Sequence, residues 1–578
     1  MAVFQRLIIL SLLLPSIAMA QEANRRAAEK KPATPRKTPT GQAAPAPATT
    51  TVTSDADDPR AMRLSLTEAV NTAVERNLGV ELERYDYRIA GHRAKAAYGP
   101  FDFFTTGTLE AVSQNRPVAS DIFSSESEAL RFNLGLTQRL ATGGTYSVGF
   151  NNARNASNAQ FTNVNPAYDT DLGFRFEQPL IRDFGVDINR REINIARNNL
   201  GISSGAFRNA LILTAQAVEQ AYYDLIYTRQ ELEVRRQSLL LARDQERITQ
   251  IRIDVGASAP LDILQPRVAI ATRDEEVILA EANIRDAEDR LRQLMNLDPA
   301  EWDRPIVATD TLDYSPVDVD AATAVSRAFE YRPEIEQARL GIENTRVDYL
   351  YLRNQVLPRL NFNLDYGFAG QGGRQFGSDP VTGEPVVIRQ TNYFDALESV
   401  FTNDFPSWTV GVNFGVPILN IGARAERRRA ELDVERATTD ESRLRQEITI
   451  QVRQAVRDIE TASRRISATR TAREAAQRNL EAERRRFENG MTTNFNVLLI
   501  QQDQSDARSR EILAQVAYRQ AVAFYHRAVG DILERHNITV QEPERFTLPG
   551  DRLEKYRWMY YGNRIERDRN GVIDKPGQ

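Results

Sequence analysis

The stretch "RRFENGMTTNFNVLLIQQD", Arg485 to Asp503, interrupts a run that otherwise reads as one very long helix. Asn489-Gly490 is a helix stop, because glycine takes the left-handed conformation just past a C-cap. Thr493 or Asn494 is placed to cap the helix that follows. The interruption has a copy. "IDVGASAPLDILQPRVAIATRD" (253–274) aligns with "FENGMTTNFNVLLIQQDQSDAR" (487–508), which pairs Gly256 with Gly490, Asp262 with Asn496 and Leu264 with Leu498. Upstream, "FRFEQPLIRDFG" (174–185) parallels "VNFGVPILNIG" (412–422), and "AVERNLGVELER" (73–84) parallels "RAFEYRPEIEQAR" (327–339). The chain is therefore written twice, over 64–310 and 320–540.

Each copy reads in the same order. A first helix (66–98; 321–355) is ended by Pro100 or Pro358, strands follow, and Pro179 or Pro417 closes the last of them. Proline suits such switches because it continues neither ladder freely. A helix of 186–254 or 423–488 then runs to the glycine turn, and a shorter one (260–297; 494–535) leaves it. Leu211, Ala215, Val218, Tyr222, Leu225 and Leu232 recur at helical steps, as do Leu444, Ile448, Val452, Ala455, Ile459, Ala462 and Ile466. Such spacing keeps one stripe on a partner helix. At about 1.5 Å per residue the long helices are rods of roughly 100 Å. Two short helices stacked end to end match one rod in length, with their junction at mid-height.

Residues 1–20 carry one charge, Arg6, an apolar run from Leu7 to Leu14 and then Ala18-Met19-Ala20, the pattern of a secretory signal peptide. Residues 21–60 are Pro-, Ala- and Thr-rich and read as a disordered linker. No later stretch has the roughly 18 apolar residues of a spanning helix. Cysteine is absent and the formal charge is −5. Disulfides and thiolate metal sites are excluded, and nothing favours nucleic acid, since the arginines are matched by acids at helical spacing.

The strands alternate. Leu130, Phe132, Leu134 and Leu136 oppose Arg131, Asn133 and Thr137; Leu360, Phe362, Leu364 and Tyr366 oppose Asn361, Asn363 and Asp365. Trp408, Val410, Val412 and Phe414, and likewise Leu172, Phe174 and Phe176, repeat the pattern. A half-buried soluble sheet alternates too. With an export signal and no compact core pattern, the membrane-facing reading is preferred. Unit one offers strands near 101–112 and 169–178 plus a hairpin (129–140, 144–153), and unit two offers 360–367 and 407–416. Four to six strands cannot close a membrane barrel, which needs at least about eight. Open edges are not tolerated in lipid, so several chains must share one.

These features, the duplication, the Pro-marked strand-to-helix junctions and the paired "VG…LDIL" and "NG…FNVL" turns, resemble TolC-like outer membrane efflux proteins over about 64–540. The resemblance implies a mainly α fold of long antiparallel hairpins forming a trimeric tunnel, with a shared outer-membrane β-barrel taking four strands per chain. It implies a passive exit duct, not an enzyme, in the outer membrane of a Gram-negative bacterium with its helices in the periplasm. The implied partners are two further copies, outer membrane lipid, a periplasmic adaptor and, through it, an inner-membrane pump or ABC transporter of an efflux or type I secretion system. The turns at Val255, Gly256, Asn489, Gly490 and Thr492 would meet the adaptor. A mid-height belt would form from 298–320 and the segment after 536, and 541–578 would be a periplasmic tail. Relatives often ring the pore constriction with acids, but here the matching positions are Asn496 and Leu499, with Asp262 and Gln265 as first-copy counterparts and Phe487 as the tip aromatic. The expected constriction is therefore governed by apolar packing and amide hydrogen bonds. The rival architecture is a periplasmic coiled-coil scaffold with a soluble β cap.

Other chemistry is thin. His92, His526 and His536 have no metal-ligand spacing. The run "GFAGQGGRQFG" (367–377) lacks the Gly-Lys-Ser/Thr ending of a phosphate loop and reads as a flexible outer loop. The tail "ERDRNGVID" (566–574) resembles a calcium loop only faintly, without the bidentate glutamate. No cofactor is implied. Pro266, about six residues into its helix, should remove a backbone bond and kink the chain. It reads either as a bend that contributes to opening or as an irregularity at a frayed end.

Overall fold

The structure, a computed structural model, describes residues 61–118, 124–159, 162–312, 314–378 and 385–548. The signal segment, the linker and the calcium-like tail lie outside the described residues. In chain order the elements are β1 (Met62–Leu64), α1 (Leu66–Arg76), α2 (Leu78–Ala96), β2 (Phe104–Asn115), β3 (Glu126–Arg139), β4 (Thr145–Ser157) and β5 (Val164–Pro179). Then come α3 (Val186–Asn189), α4 (Arg191–Asp254), α5 (Leu264–Met295), β6 (Ile306–Ala308), α6 (Ala321–Tyr331), α7 (Pro333–Gln355) and β7 (Arg359–Ser378). The chain continues through β8 (Pro385–Gln390), α8 (Tyr393–Thr402), β9 (Phe405–Gly415), α9 (Ile421–Glu488), α10 (Asn494–Val529) and α11 (Ile532–Arg535).

The first helix of each copy is not continuous, as the periodicity had suggested. It breaks at Asn77 and at Arg332, both in extended backbone. Asn77 stops α1 and caps α2: its Oδ1 accepts from the Gly79 and Val80 amides at 2.8 and 3.3 Å. Arg332 precedes Pro333, whose ring disfavours the helical conformation one residue back. Each break meets the end of a returning helix. Asn77 Nδ2 donates to the Leu294 carbonyl at 2.8 Å, just before left-handed Asn296 ends α5. The Arg332 backbone lies against left-handed Gly530, which ends α10. That same glycine stops the helix expected to run to 535.

Between the breaks and the turns the hairpins are in strict register. Arg229, Arg236 and Arg243, one heptad apart on α4, face Glu288, Glu281 and Asp274 on α5 at 2.8, 2.9 and 3.8 Å. Nearer the sheet, α4 runs antiparallel to α7, with Arg191–Asp348 at 2.6 Å and Asn198–Asn344 at 2.9 Å. The apolar residues form two clusters. One joins α1, α2, α4 and α5 around Tyr222, Leu225 and Leu291; the other joins α6, α9 and α10 around Ile448, Ile459 and Tyr518. By contrast, the first half of α9 is exposed on most sides and is supported by its own ion pairs, such as Arg428–Glu431 and Arg429–Glu426.

β1 and β6 pair in parallel as a separate two-stranded sheet; the other strands form one antiparallel sheet in the order β2-β3-β4-β5-β7-β9, with β8 pairing the far end of β7. The hairpin β3–β4 lies inside this sheet. The chain thus supplies six strands side by side rather than four. β7 is also longer than expected. Residues 367–377 are strand, not a flexible loop, because their glycines seat α8: a Cβ on Gly370 or Gly372 would overlap the carbonyls of Ala396 or Asn392. The pairing separates the faces over the half of the sheet nearer the helices. The row Thr105–Leu136–Val148–Phe174–Tyr366–Trp408 is apolar, and the adjacent row Thr106–Gly135–Gly149–Gly173–Gly367–Ser407 is not. Further rows put Asn151, Asp171, Arg175, Glu177 and Asp365 on the polar face.

The segment after α11 folds back along the helices. His536 Nε2 is 2.5 Å from buried Glu219 Oε1, and Tyr87 Oη donates to the Glu544 carbonyl at 3.1 Å. Burial, then the negative charge of Glu542, pushes the Tyr87 phenol up to about 12. Phe546 lies on the bare backbone of Gly91, where any Cβ would overlap its ring, with the Lys95 ammonium 4.9 Å from the ring centre. Gly91→Leu should expel Phe546 at a cost of about 1–3 kcal/mol. Trypsin cleavage after Arg545 should then accelerate at least severalfold while cleavage elsewhere is unchanged. An unaltered rate at Arg545 would contradict this seat.

Candidate functional site

The two glycine turns are the same object built twice. Val255 and Asn489 are the C-caps of α4 and α9, with φ/ψ of −91/3 and −84/3. Gly256 and Gly490 follow at φ +76 and +72. The Gly256 amide donates to Ile253 O and the Ala257 amide to Arg252 O, at 2.9 and 2.7 Å; Gly490 donates to Phe487 O and Met491 to Arg486 O, at 3.0 and 2.9 Å. This is the paired-bond C-terminal cap that requires a left-handed residue. Neither glycine has a neighbour within 4 Å of a Cβ, so backbone conformation and not crowding demands glycine here.

The turns differ in how the next helix begins. In the first, Asp262 accepts the Ala259 amide at 3.1 Å within a short 3-10 turn. In the second, Thr493 holds the N-cap position, but its side chain makes no capping bond. Instead Thr492 Oγ1 donates to Glu483 Oε1 at 2.5 Å and accepts from Asn496 Nδ2 at 3.1 Å. Pro266 is the third residue of α5, in the first turn, where its missing N–H would have no partner within the helix. The 3-10 turn absorbs it, so the proline makes no mid-helix kink.

Gln265, Asn496 and Leu499 are exposed on the single chain, and Asp262 is half-buried. Phe487 is buried. The Arg252 guanidinium lies 4.4 Å over its ring and donates to its carbonyl at 3.0 Å, tying the last turn of α4 to the last turn of α9. Further polar ties join the two hairpins. Gln245 Nε2 donates to Asn494 Oδ1 at 2.8 Å, both side chains buried. Arg273, 3% exposed, reaches from α5 to the Ser238 carbonyl on α4 at 2.9 Å and to the Leu498 carbonyl and Gln501 Oε1 on α10 at 3.2 and 3.0 Å. Burial lowers the pKa of Arg273, and Glu276 and Asp506 push it back up.

Arg273, Gln245, Arg252 and Gln501 were not singled out from sequence. Arginine and glutamine on a charged amphipathic helix read as wet. The one available signal was broken symmetry: Arg273 aligns with Ala507, and Gln501 with Arg267, and it is these two side chains that meet across the copies.

Among the described residues no cluster of His, Cys, Asp or Glu could hold a metal, and no helix is long and apolar enough to cross a membrane. No curated protein sequence matches the chain. Solved structures do. The CmeC outer membrane channel of Campylobacter jejuni aligns with TM-score 0.58 at 14% identity, covering 81% of this chain and 85% of that one. The outer membrane protein VceC of Vibrio cholerae aligns at 0.57 and 14%, covering 80% and 96%. The open state of the MtrE outer membrane channel of Neisseria gonorrhoeae aligns at 0.57 and 14%, covering 82% and 91%. At these identities the likeness is one of fold. The family model for "Outer membrane efflux protein" matches residues 183–297 and 324–530, more than half of the chain and both of its long hairpins. The chain therefore belongs to the outer membrane efflux protein family, whose members are passive channels rather than enzymes.

Proposed function

We propose that three copies of this chain close into one exit duct spanning the outer membrane and the periplasm. It passively carries cargo delivered by a periplasmic adaptor and an inner-membrane pump or ABC transporter. The observation that carries this reading is the six-stranded sheet with segregated faces and two unpaired edges, β2 and β9. Its apolar face is exposed, with Leu109 at 76% and Trp408 at 71%. A soluble cap would not leave so much contiguous apolar surface to water, which disfavours the scaffold alternative. In lipid, the open edges must be paired. Joining β9 of one copy to β2 of the next gives eighteen strands from three copies. Barrels of about that size leave an aqueous channel. The polar face would line it. The exposed first half of α9 supplies surface for the neighbouring copy.

In this reading the turns at Val255, Gly256, Asn489, Gly490 and Thr492 meet the adaptor. Gln265, Asn496 and Leu499 form the constriction with Asp262, and buried Phe487 positions it from behind. Purified protein should run as a heat-modifiable oligomer of three chains and form ion-conducting pores in planar bilayers. Monomeric, salt-washable protein without conductance would overturn the proposal.

Two predictions concern the tip. Multivalent cations at micromolar concentration should leave the native conductance largely unblocked, whereas Asn496→Asp should create block, because three added carboxylates converge on one axis. Strong block of the native protein would remove the amide-lined constriction. Arg273→Met should leave Gln501 and two carbonyls without their donor, at about 1–3 kcal/mol for each unpaired group. Amide exchange in 256–270 and 490–502 should rise at least tenfold, with little change around Tyr222 and Ile448. Equal acceleration at both levels would mean that Arg273 holds the whole chain and not its tip.

A further inference from the structure

α8 is a ten-residue helix that the channel reading leaves without a task. It lies on the apolar face of the sheet. Its Ala396 and Val400 are buried over Gly370 and Gly372, and Tyr393 Oη donates to Asn152 Oδ1 at 2.9 Å. Both ends are finished: Asn392 accepts the Phe394 and Asp395 amides at 2.7 and 3.3 Å, and Asn403 closes the helix in the left-handed conformation.

The level of α8 on the sheet is specific. Below it, toward the helices, the row Leu134–Phe150–Leu172–Phe368 is apolar. Above it on the same face stand Arg154, which pairs with Leu130 and Tyr168, and Glu128, 3.9 Å from Arg154. α8 sits on the row between them, Asn152–Thr170–Gly370, where the face changes from apolar to charged. At 3.6 residues per turn, α8 has three sides. Ala396, Ser399 and Val400 meet the sheet. Phe394, Leu397 and Phe401 form one flank, the two phenylalanines 74% and 73% exposed. Asp395, Glu398 and Thr402 form the other.

We infer that α8 is an interfacial helix, lying in the headgroup–acyl boundary of the outer leaflet with its phenylalanine flank in the bilayer and its acidic flank in water. The occupant is lipid because the Phe flank continues the apolar band beneath it, including Phe368 on β7 and Trp408 on β9. The dimensions agree. From Leu360 to Phe368 the apolar run of β7 is roughly 27 Å along the strand. At a tilt of about 40° it stands about 20 Å high, short of the roughly 25 Å band of a membrane barrel. A helix about 10 Å across, laid on the upper border, covers the difference. The glycines at 370 and 372 let it lie flush, and aromatic side chains at that depth act as the girdle does elsewhere.

The inference rests on the barrel reading, and the test separates the two. Two variants, Phe394→Trp and Phe401→Trp, are made in a full-length chain whose native Trp302, Trp408 and Trp558 are phenylalanine. A third protein keeps Trp408 alone. Each is reconstituted as the assembled protein in phosphatidylcholine vesicles brominated at shallow or deep acyl positions. We expect both α8 tryptophans to be quenched at least twofold by shallow bromines and less by deep ones, with Trp408 also quenched. Trp408 quenched while neither α8 tryptophan responds would overturn the interfacial helix and leave the barrel standing. Stronger quenching of both by deep bromines would overturn its placement at the boundary. No quenching at any of the three positions would overturn the barrel itself, and the inference with it.

Discussion

One long helix in each copy must be matched by two shorter ones, and everything else in the helical part follows from how those two meet. The meeting point is a polar plug. Asn77 ends one helix, starts another and caps a third, all with one amide side chain and its own backbone. In the second copy, Arg332 and Pro333 achieve the break by sterics, and the guanidinium is held by Gln451 at 2.7 Å and Glu334 at 2.7 Å. Burial raises the Glu334 pKa, but the Arg332 contact outweighs it and the net direction is downward. That contribution is present above the usual glutamate range and is lost as pH falls through the lowered value. The two apolar clusters flank these plugs, with Val80, Leu291 and Met295 beside the first and Ala328, Ile335 and Val529 beside the second.

The sequence made the duplication and the turns readable because they depend on local rules. Glycine at a left-handed cap leaves the same trace wherever it occurs, and both traces produced the same bond pattern. The helix breaks were less readable. Asn77 sits in an unbroken apolar period, and an asparagine there is tolerable in a helix; only its partner at Leu294, 217 residues away, decides the outcome. Arg332-Pro333 did carry a local signal, since proline restricts its predecessor, but the surrounding periodicity outweighed it.

The sheet shows the same division. Alternation exposed the two faces of every strand, because period two is a local property. Alternation does not reveal how many strands join one sheet. The hairpin β3–β4 has the same pattern whether it lies in the sheet or above it, and only its pairing with β2 and β5 places it. The run 367–377 failed for a different reason. Glycine in a strand usually signals weakness, yet here it marks the close approach of α8.

The tip is held together by a different kind of force from the middle. Around Tyr222 and Ile448 the contacts are apolar and fully buried, so separating them exposes surface that water disfavours. At the tip the ties are Arg252 to Phe487, Gln245 to Asn494 and Arg273 to Gln501. A hydrogen bond broken into water is replaced by another, and its net contribution is only about 1 kcal/mol. The same bond broken while its partners stay buried costs more. The tip is thus firm as long as it stays dry and yields once water enters between the hairpins. The middle gains no such substitute. The ties that water can replace therefore lie in the few turns between the glycine caps and Arg273, where the second copy places Asn496 and Leu499.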